Sequence, residues 1–115
     1  MHAALLAGLM ILAAGEAVGQ EDTGSASFMV AGCRAVDLTG KSMVDPTGKL
    51  MMCLGAVSGV WDTAAGAGWV CSPTGTTRGQ AVRTVVQYID AHPTRIHDRF
   101  TSVALEALRA AWPCR

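Results

Sequence analysis

The sequence predicts a small all-α domain of four helices stapled by two disulfides. Three observations lead there. Apolar residues recur at helical three-four spacing in successive segments, and no segment sustains the apolar/polar alternation of a strand. The four cysteines are an even number in a short chain, the usual mark of an exported domain held by bridges. The chain has 115 residues, which is room for one domain and too little for a multidomain enzyme or a large cofactor fold. Nine Lys and Arg balance nine Asp and Glu, whereas a nucleic-acid binder shows a basic excess. With half its residues hydrophobic and 16% charged, the chain also lacks the composition of a disordered tail.

The elements follow in order. Ala3 to Ala14 is apolar apart from Gly8, the length of a signal-peptide core and too short to span a bilayer. Small residues at Ala17 and Gly19 place cleavage after Gly19, with Ala17 as the second option, so residues 1–19 are expected to be a signal peptide. The basic start usual in such peptides is missing, because no Lys or Arg precedes Arg34. Residues 20–27 are polar and are expected to form a flexible lead-in to a helical domain over 28–115. A first helix is placed at Ala26 to Val36, with Ser25 or Ser27 as N-cap. Asp37 to Gly48 reads as a loop around Pro46.

Helix two spans about Lys49 to Ala65, its buried face drawn by Leu50, Cys53, Leu54, Val57, Val60 and Trp61, and it stops at Gly66 and Gly68. After a loop containing Pro73, Thr77 opens helix three, with Gln80 three residues on completing a capping box. Val82, Val85, Val86 and Ile89 form its apolar face, and His92-Pro93 ends it because proline disfavours helical geometry in the residue before it. Helix four is placed from Asp98 to Trp112, closed by Pro113. No second apolar stretch is available as a membrane anchor, so the mature chain should be soluble.

The helix order ranks the three possible cysteine pairings. Cys33 lies near the end of helix one and Cys53 near the start of helix two, so both fall at the closed end of that hairpin. In an up-and-down bundle helix four runs parallel to helix two, which brings Cys71 and Cys114 together at their C-terminal ends. Cys33–Cys53 and Cys71–Cys114 are therefore expected. The rival, a four-cysteine zinc site, lacks any C-x-x-C pair. No metal or cofactor is expected.

Other motifs are weak as chemistry. Ala35 to Ser42 matches a relaxed phosphate-loop pattern, but a helical segment precedes it where a strand is needed and Pro46 follows. The repeated Thr-Gly-Lys at 39–41 and 47–49 reads as polar loop. Ser58 reads as a helix-surface hydroxyl, since its surroundings are not a nucleophile elbow. Trp61, Trp69 and Trp112 are expected in core or rim packing, and His92 and His97 at the surface. Gly55 and Gly59 each cost about 1 kcal/mol of helix propensity. Close approach of helix four, or of a second subunit, would offset that.

Taken together, these residues resemble the Rap/Tai family of periplasmic immunity proteins, which protect bacteria from type VI secretion amidase toxins. Cys53, Leu54, Gly55, Gly59 and Asp62 match its Cys-Leu-Gly-x-x-x-Gly-x-x-Asp motif. Cys71, Pro73 and Gln80 with the valine-rich helix three, His92-Pro93, and Trp112-Pro113-Cys114 complete the set. Trp112 stands where the family more often has Phe.

The resemblance implies a periplasmic, non-enzymatic protein, often a homodimer, that occludes the cleft of a cell-wall amidase with a protruding loop. Residues 91–99 are the candidate contact loop, through His92, Thr94, Arg95, His97 and Arg99. A small periplasmic stress chaperone, similarly helical and bridged, is the alternative.

Overall fold

The computed structural model describes residues 22–36 and 47–115. The expected signal peptide at 1–19, the phosphate-loop match beyond Val36 and the Thr-Gly-Lys at 39–41 lie outside the described residues. Four α-helices are present, α1 (Ala26–Cys33), α2 (Lys49–Gly66), α3 (Arg78–Ala91) and α4 (Phe100–Ala111), with a short 3₁₀ turn at Pro93–Arg95 before α4. The all-α, disulfide-stapled class expected from the sequence is the one observed, with no strand among the described residues.

Each helix end has a local cause. Ser25 caps α1, its Oγ accepting from the Phe28 N–H at 3.3 Å. The helix stops at Cys33, short of the Val36 expected. At the end of α2 the Gly68 N–H donates to Ala65 O and the Trp69 N–H to Ala64 O, with Gly68 at φ +76°. That is a Schellman closure, which needs a left-handed residue and so favours glycine. Thr77 and Gln80 form the expected capping box of α3: Thr77 N–H donates to Gln80 Oε1 at 2.8 Å and Gln80 N–H to Thr77 Oγ1 at 3.1 Å. His92 and Trp112 close α3 and α4 with nearly the same backbone, φ −128° and −132°. Each precedes a proline, which excludes the helical region there. Phe100 starts α4 two residues later than the spacing suggested.

Phe100, Leu108 and Val103 from α4 pack with Ile89, Val85 and Val82 from α3 and Val57 from α2, all essentially buried. The residues expected to form a flexible lead-in are tied down from Asp22 onward. Phe100 N–H donates to Gly24 O at 2.7 Å, Ala26 N–H to Asp98 O at 2.9 Å and Ser27 N–H to Ile96 O at 2.7 Å. Ser25 and Ala26 are buried as a result. The polarity that suggested a loose tail is that of a segment spending its backbone donors and acceptors on the chain before α4.

Both expected bridges are formed. Cys33–Cys53 joins α1 to α2 with Cα atoms 5.2 Å apart, and Cys71–Cys114 joins the ends of α2 and α4 with Cα atoms 5.0 Å apart. In the loop-entropy view they remove about 3 and 4 kcal/mol of unfolded-state freedom. The Cys71 N–H also donates to Trp112 O at 2.8 Å, and the Trp61 and Trp112 rings lie 6.0 Å apart.

The glycine reading needs correction. The close helix approach occurs at Gly32, where an added Cβ would stand 2.5 Å from the Lys49 carbonyl carbon and 2.9 Å from Lys49 Cβ. At Gly55 and Gly59 an added Cβ would meet nothing within 4 Å, so α4 does not close on them. Two further expectations fail on burial. Ser58 faces inward, its Oγ buried without a hydrogen-bond partner, and Trp69 is 50% exposed rather than packed.

Gly32→Ala should therefore lower stability by about 3 kcal/mol, the upper range for forcing a methyl into a filled site. Urea unfolding of the variant against the parent measures it, and an unchanged midpoint would contradict the contact.

Candidate functional site

The turn between α3 and α4 carries five residues expected to meet a partner, and the fold sorts them. Its backbone is braced by hydrogen bonds. Arg95 N–H donates to His92 O at 2.9 Å and Asp98 N–H to Arg95 O at 3.0 Å, while the bonds from Ala26 and Ser27 hold it from behind. Ser25 and Arg99 pair as an isolated antiparallel bridge. Pro93 opens the 3₁₀ turn, where its fixed φ and missing N–H fit the first position of a helical turn.

Arg95 is engaged internally. Its Nη2 donates to Glu106 Oε1 at 2.9 Å and its Nε to Asp98 Oδ2. Tyr88 supports the same carboxylate, its hydroxyl donating to Glu106 Oε2 at 3.3 Å. The His92 ring stacks on Tyr88 with centroids 4.0 Å apart, and its Nδ1 donates to the Tyr88 carbonyl at 2.7 Å. A carbonyl can only accept, so Nδ1 carries a proton in this arrangement. Thr94, His97 and Arg99 are exposed, as is His92. The turn thus presents His92, Thr94, His97 and Arg99 to solvent, with Arg95 as its internal tie to α4.

The motif residues lie elsewhere. Pro73 accepts from Thr76 through its carbonyl, and Gln80 completes the α3 cap. Trp112 packs on Trp61, whose Nε1 donates to Ser72 Oγ at 3.1 Å, and Pro113 leads from Trp112 into the Cys114 bridge. Asp62 is exposed on α2 with no ion-pair partner among the described residues.

Gly55 and Gly59 line an open groove between α2 and α4, about 520 Å³ in volume, together with Val60, Thr63, Leu105 and Trp69. Sequence reasoning missed this groove. Its signal was a glycine pair followed ten residues later by a tryptophan that the helical period does not bury.

All four cysteines are bridged. Among the described residues no three His, Cys, Asp or Glu are grouped to hold a metal ion. No described helix is long and apolar enough to cross a membrane.

A helical body bridged at both ends of α2, with a braced polar turn, defines a small scaffold suited to protein recognition; its disulfides fit a protein outside the cytoplasm. The chain belongs to the Rap1a immunity protein family, whose model matches residues 26–114, nearly all of the described fold. No curated protein and no solved structure matches it. Membership of an immunity family implies an effector protein as partner.

Two ion-pair systems carry a pH dependence. Hydrogen bonds from Arg34, at 2.5 and 3.1 Å, hold the Asp90 carboxyl below its ordinary range. Arg95, with help from Tyr88, does the same for Glu106. A carboxyl depressed in the fold adds stability above its unfolded pKa of about 4, lost as pH falls through the folded value. The pairs are exposed, so the effect is small. The urea midpoint should fall between pH 6 and pH 3, and the double variant Arg34→Gln/Arg95→Gln should fall by less over the same range. Equal slopes would remove the pairs from the pH response.

Proposed function

We propose that the protein is a periplasmic immunity protein that binds and inhibits a peptidoglycan amidase delivered by type VI secretion. Its α3–α4 turn enters the enzyme's cleft, carrying His92, Thr94, His97 and Arg99 as contacts. Residues 1–19 act as the signal peptide for export. The protein itself is not an enzyme and uses no cofactor.

The observation that carries this reading is the hydrogen-bonded bracing of an exposed polar turn on a chain whose family is one of immunity proteins. Blocking a cleft rewards a loop already held in its bound shape, because ordering a mobile one on binding costs affinity. Here the Arg95 fork to Asp98 and Glu106 and the backbone bonds from Ala26 and Ser27 provide that order before any partner arrives. Two imidazoles and a guanidinium projecting from such a turn suit a cleft lined by carboxylates and hydroxyls.

The test is co-expression with the cell-wall amidase encoded beside this gene. A stable complex and loss of peptidoglycan hydrolysis are expected. Thr94→Arg or His97→Ala should weaken inhibition by about ten-fold or more, the size of a central interface contact, with the far-UV spectrum unchanged. If neither complex nor inhibition forms, the amidase reading falls. If both form but turn variants inhibit fully, the turn is not the contact.

A further inference from the structure

We propose that the Cys71–Cys114 bridge is a site of thiol–disulfide exchange, opened at Cys71 by an external dithiol while the Cys33–Cys53 bridge stays closed. The two bridges sit in opposite surroundings. Cys33 is 2% exposed and Cys53 fully buried, in the core with Met29, Val30 and Val57. Cys71 is exposed and Cys114 half-buried, at the end of the bundle where the chain has left α2 and α4. Exchange begins with a thiolate reaching a sulfur, so access decides which bridge reacts. A reductant reaches the inner bridge only when α1 and α2 part, which costs much of the fold.

The neighbours of the outer bridge give it a direction. Cys71, the more exposed partner, is the sulfur that a thiolate attacks. Cys114 is then the leaving group, and Arg115 follows it directly, exposed and without an ion-pair partner among the described residues. A guanidinium beside a sulfur favours its thiolate and so speeds departure. The first thiolate of the dithiol bonds to Cys71 Sγ, the Sγ–Sγ bond breaks, and Cys114 leaves with the electron pair. The dithiol's second thiolate then bonds to its own first sulfur and displaces Cys71. Two electrons and two protons have passed to the protein, which now holds two thiols, and the reductant has become a disulfide.

Opening frees a limited part of the chain. Phe100, Val103 and Leu108 anchor α4 in the core shared with α2 and α3, so the released part is residues 112–115 and the loop after α2. Until then the Cys71 N–H, donating to Trp112 O at 2.8 Å, and the Trp61 Nε1, donating to Ser72 Oγ at 3.1 Å, back the bridge. The bridge is thus a latch on this end, closed by oxidation and released by a dithiol with the helical body kept. The α3–α4 turn is braced by Ala26, Ser27, Asp98 and Glu106, none of them in the released part. The inference therefore stands or falls apart from the inhibitor reading.

Timed exposure of the full, oxidised chain to dithiothreitol tests it, with iodoacetamide quenching and peptide mass spectrometry. Cys71 and Cys114 are expected to be alkylated about a hundred-fold faster than Cys33 and Cys53, the margin between direct access and opening of a core. The far-UV spectrum should be kept in the species with only the outer bridge open. Glutathione, a monothiol, should be found in mixed disulfide with Cys71. The Cys71→Ser/Cys114→Ser variant, which carries the inner bridge alone, should remain helical and react with dithiothreitol only at the slow rate. Equal rates for the two bridges, or earlier loss of Cys33–Cys53, overturn the inference. So does unfolding when the outer bridge opens. Glutathione held on Cys114 in place of Cys71 overturns the assigned direction of attack.

Discussion

Everything in this fold is referred to α2, and α2 is fixed by what happens at its two ends. At the first, Gly32 lets α1 rest directly on the Lys49 backbone, close enough for Cys33 and Cys53 to bridge. The Lys49 ammonium then lies 4.8 Å above the Phe28 ring, covering the joint. At the other end, the Schellman closure turns the chain so that Cys71 can meet both the Trp112 carbonyl and Cys114. A domain this small buries a modest share of its surface, and staples commonly make up the difference. Here they are set where a shift of α2 would be felt by every other helix.

The parts of this architecture legible in the sequence were those with a local cause. Thr77 and Gln80 sit three residues apart and satisfy each other's backbone, so the start of α3 could be read from four residues. His92-Pro93 and Trp112-Pro113 marked two helix ends for the same reason. The cysteine pairing followed from helix order alone, because each pair lay at one end of a bundle.

What could not be read was distance between segments. Gly32, in a helix of eight residues, looks no different from any other small residue, yet an added Cβ there would run into the Lys49 backbone. Gly55 and Gly59, the pair with a recognisable spacing, face open space. Periodicity says which face of a helix is apolar but not how near its neighbour stands. The inward Ser58 was unreadable for a related reason: its hydroxyl makes no bond that would have justified burial. On the turn, the five candidate residues share one segment between α3 and α4. Arg95 differs from the others because Asp98 and, from α4, Glu106 both face it.

The two surfaces so defined have different characters. The turn is polar, narrow and locked by hydrogen bonds from three directions, and the α2 face is apolar, broad and notched. Neither needs the other in order to form. Bracing of the turn comes from α1 and α4, and the groove is made by α2 and α4, so α4 is the one element common to both. A ligand at either surface could reach the other only by moving a helix whose inner face, Phe100, Val103, Ala104, Ala107 and Leu108, is fully buried. Close-packed interiors of that kind resist displacement.

The order of the bridges along the chain has a consequence for biogenesis. First cysteine pairs with second and third with fourth. In a chain that meets an oxidant N-terminus first, each thiol would find its native mate as the next to arrive. Closure in order of arrival would therefore yield the native set. A bridged α1–α2 hairpin can exist before α3 and α4 have emerged. Pairing between consecutive cysteines leaves little for thiol–disulfide exchange to correct.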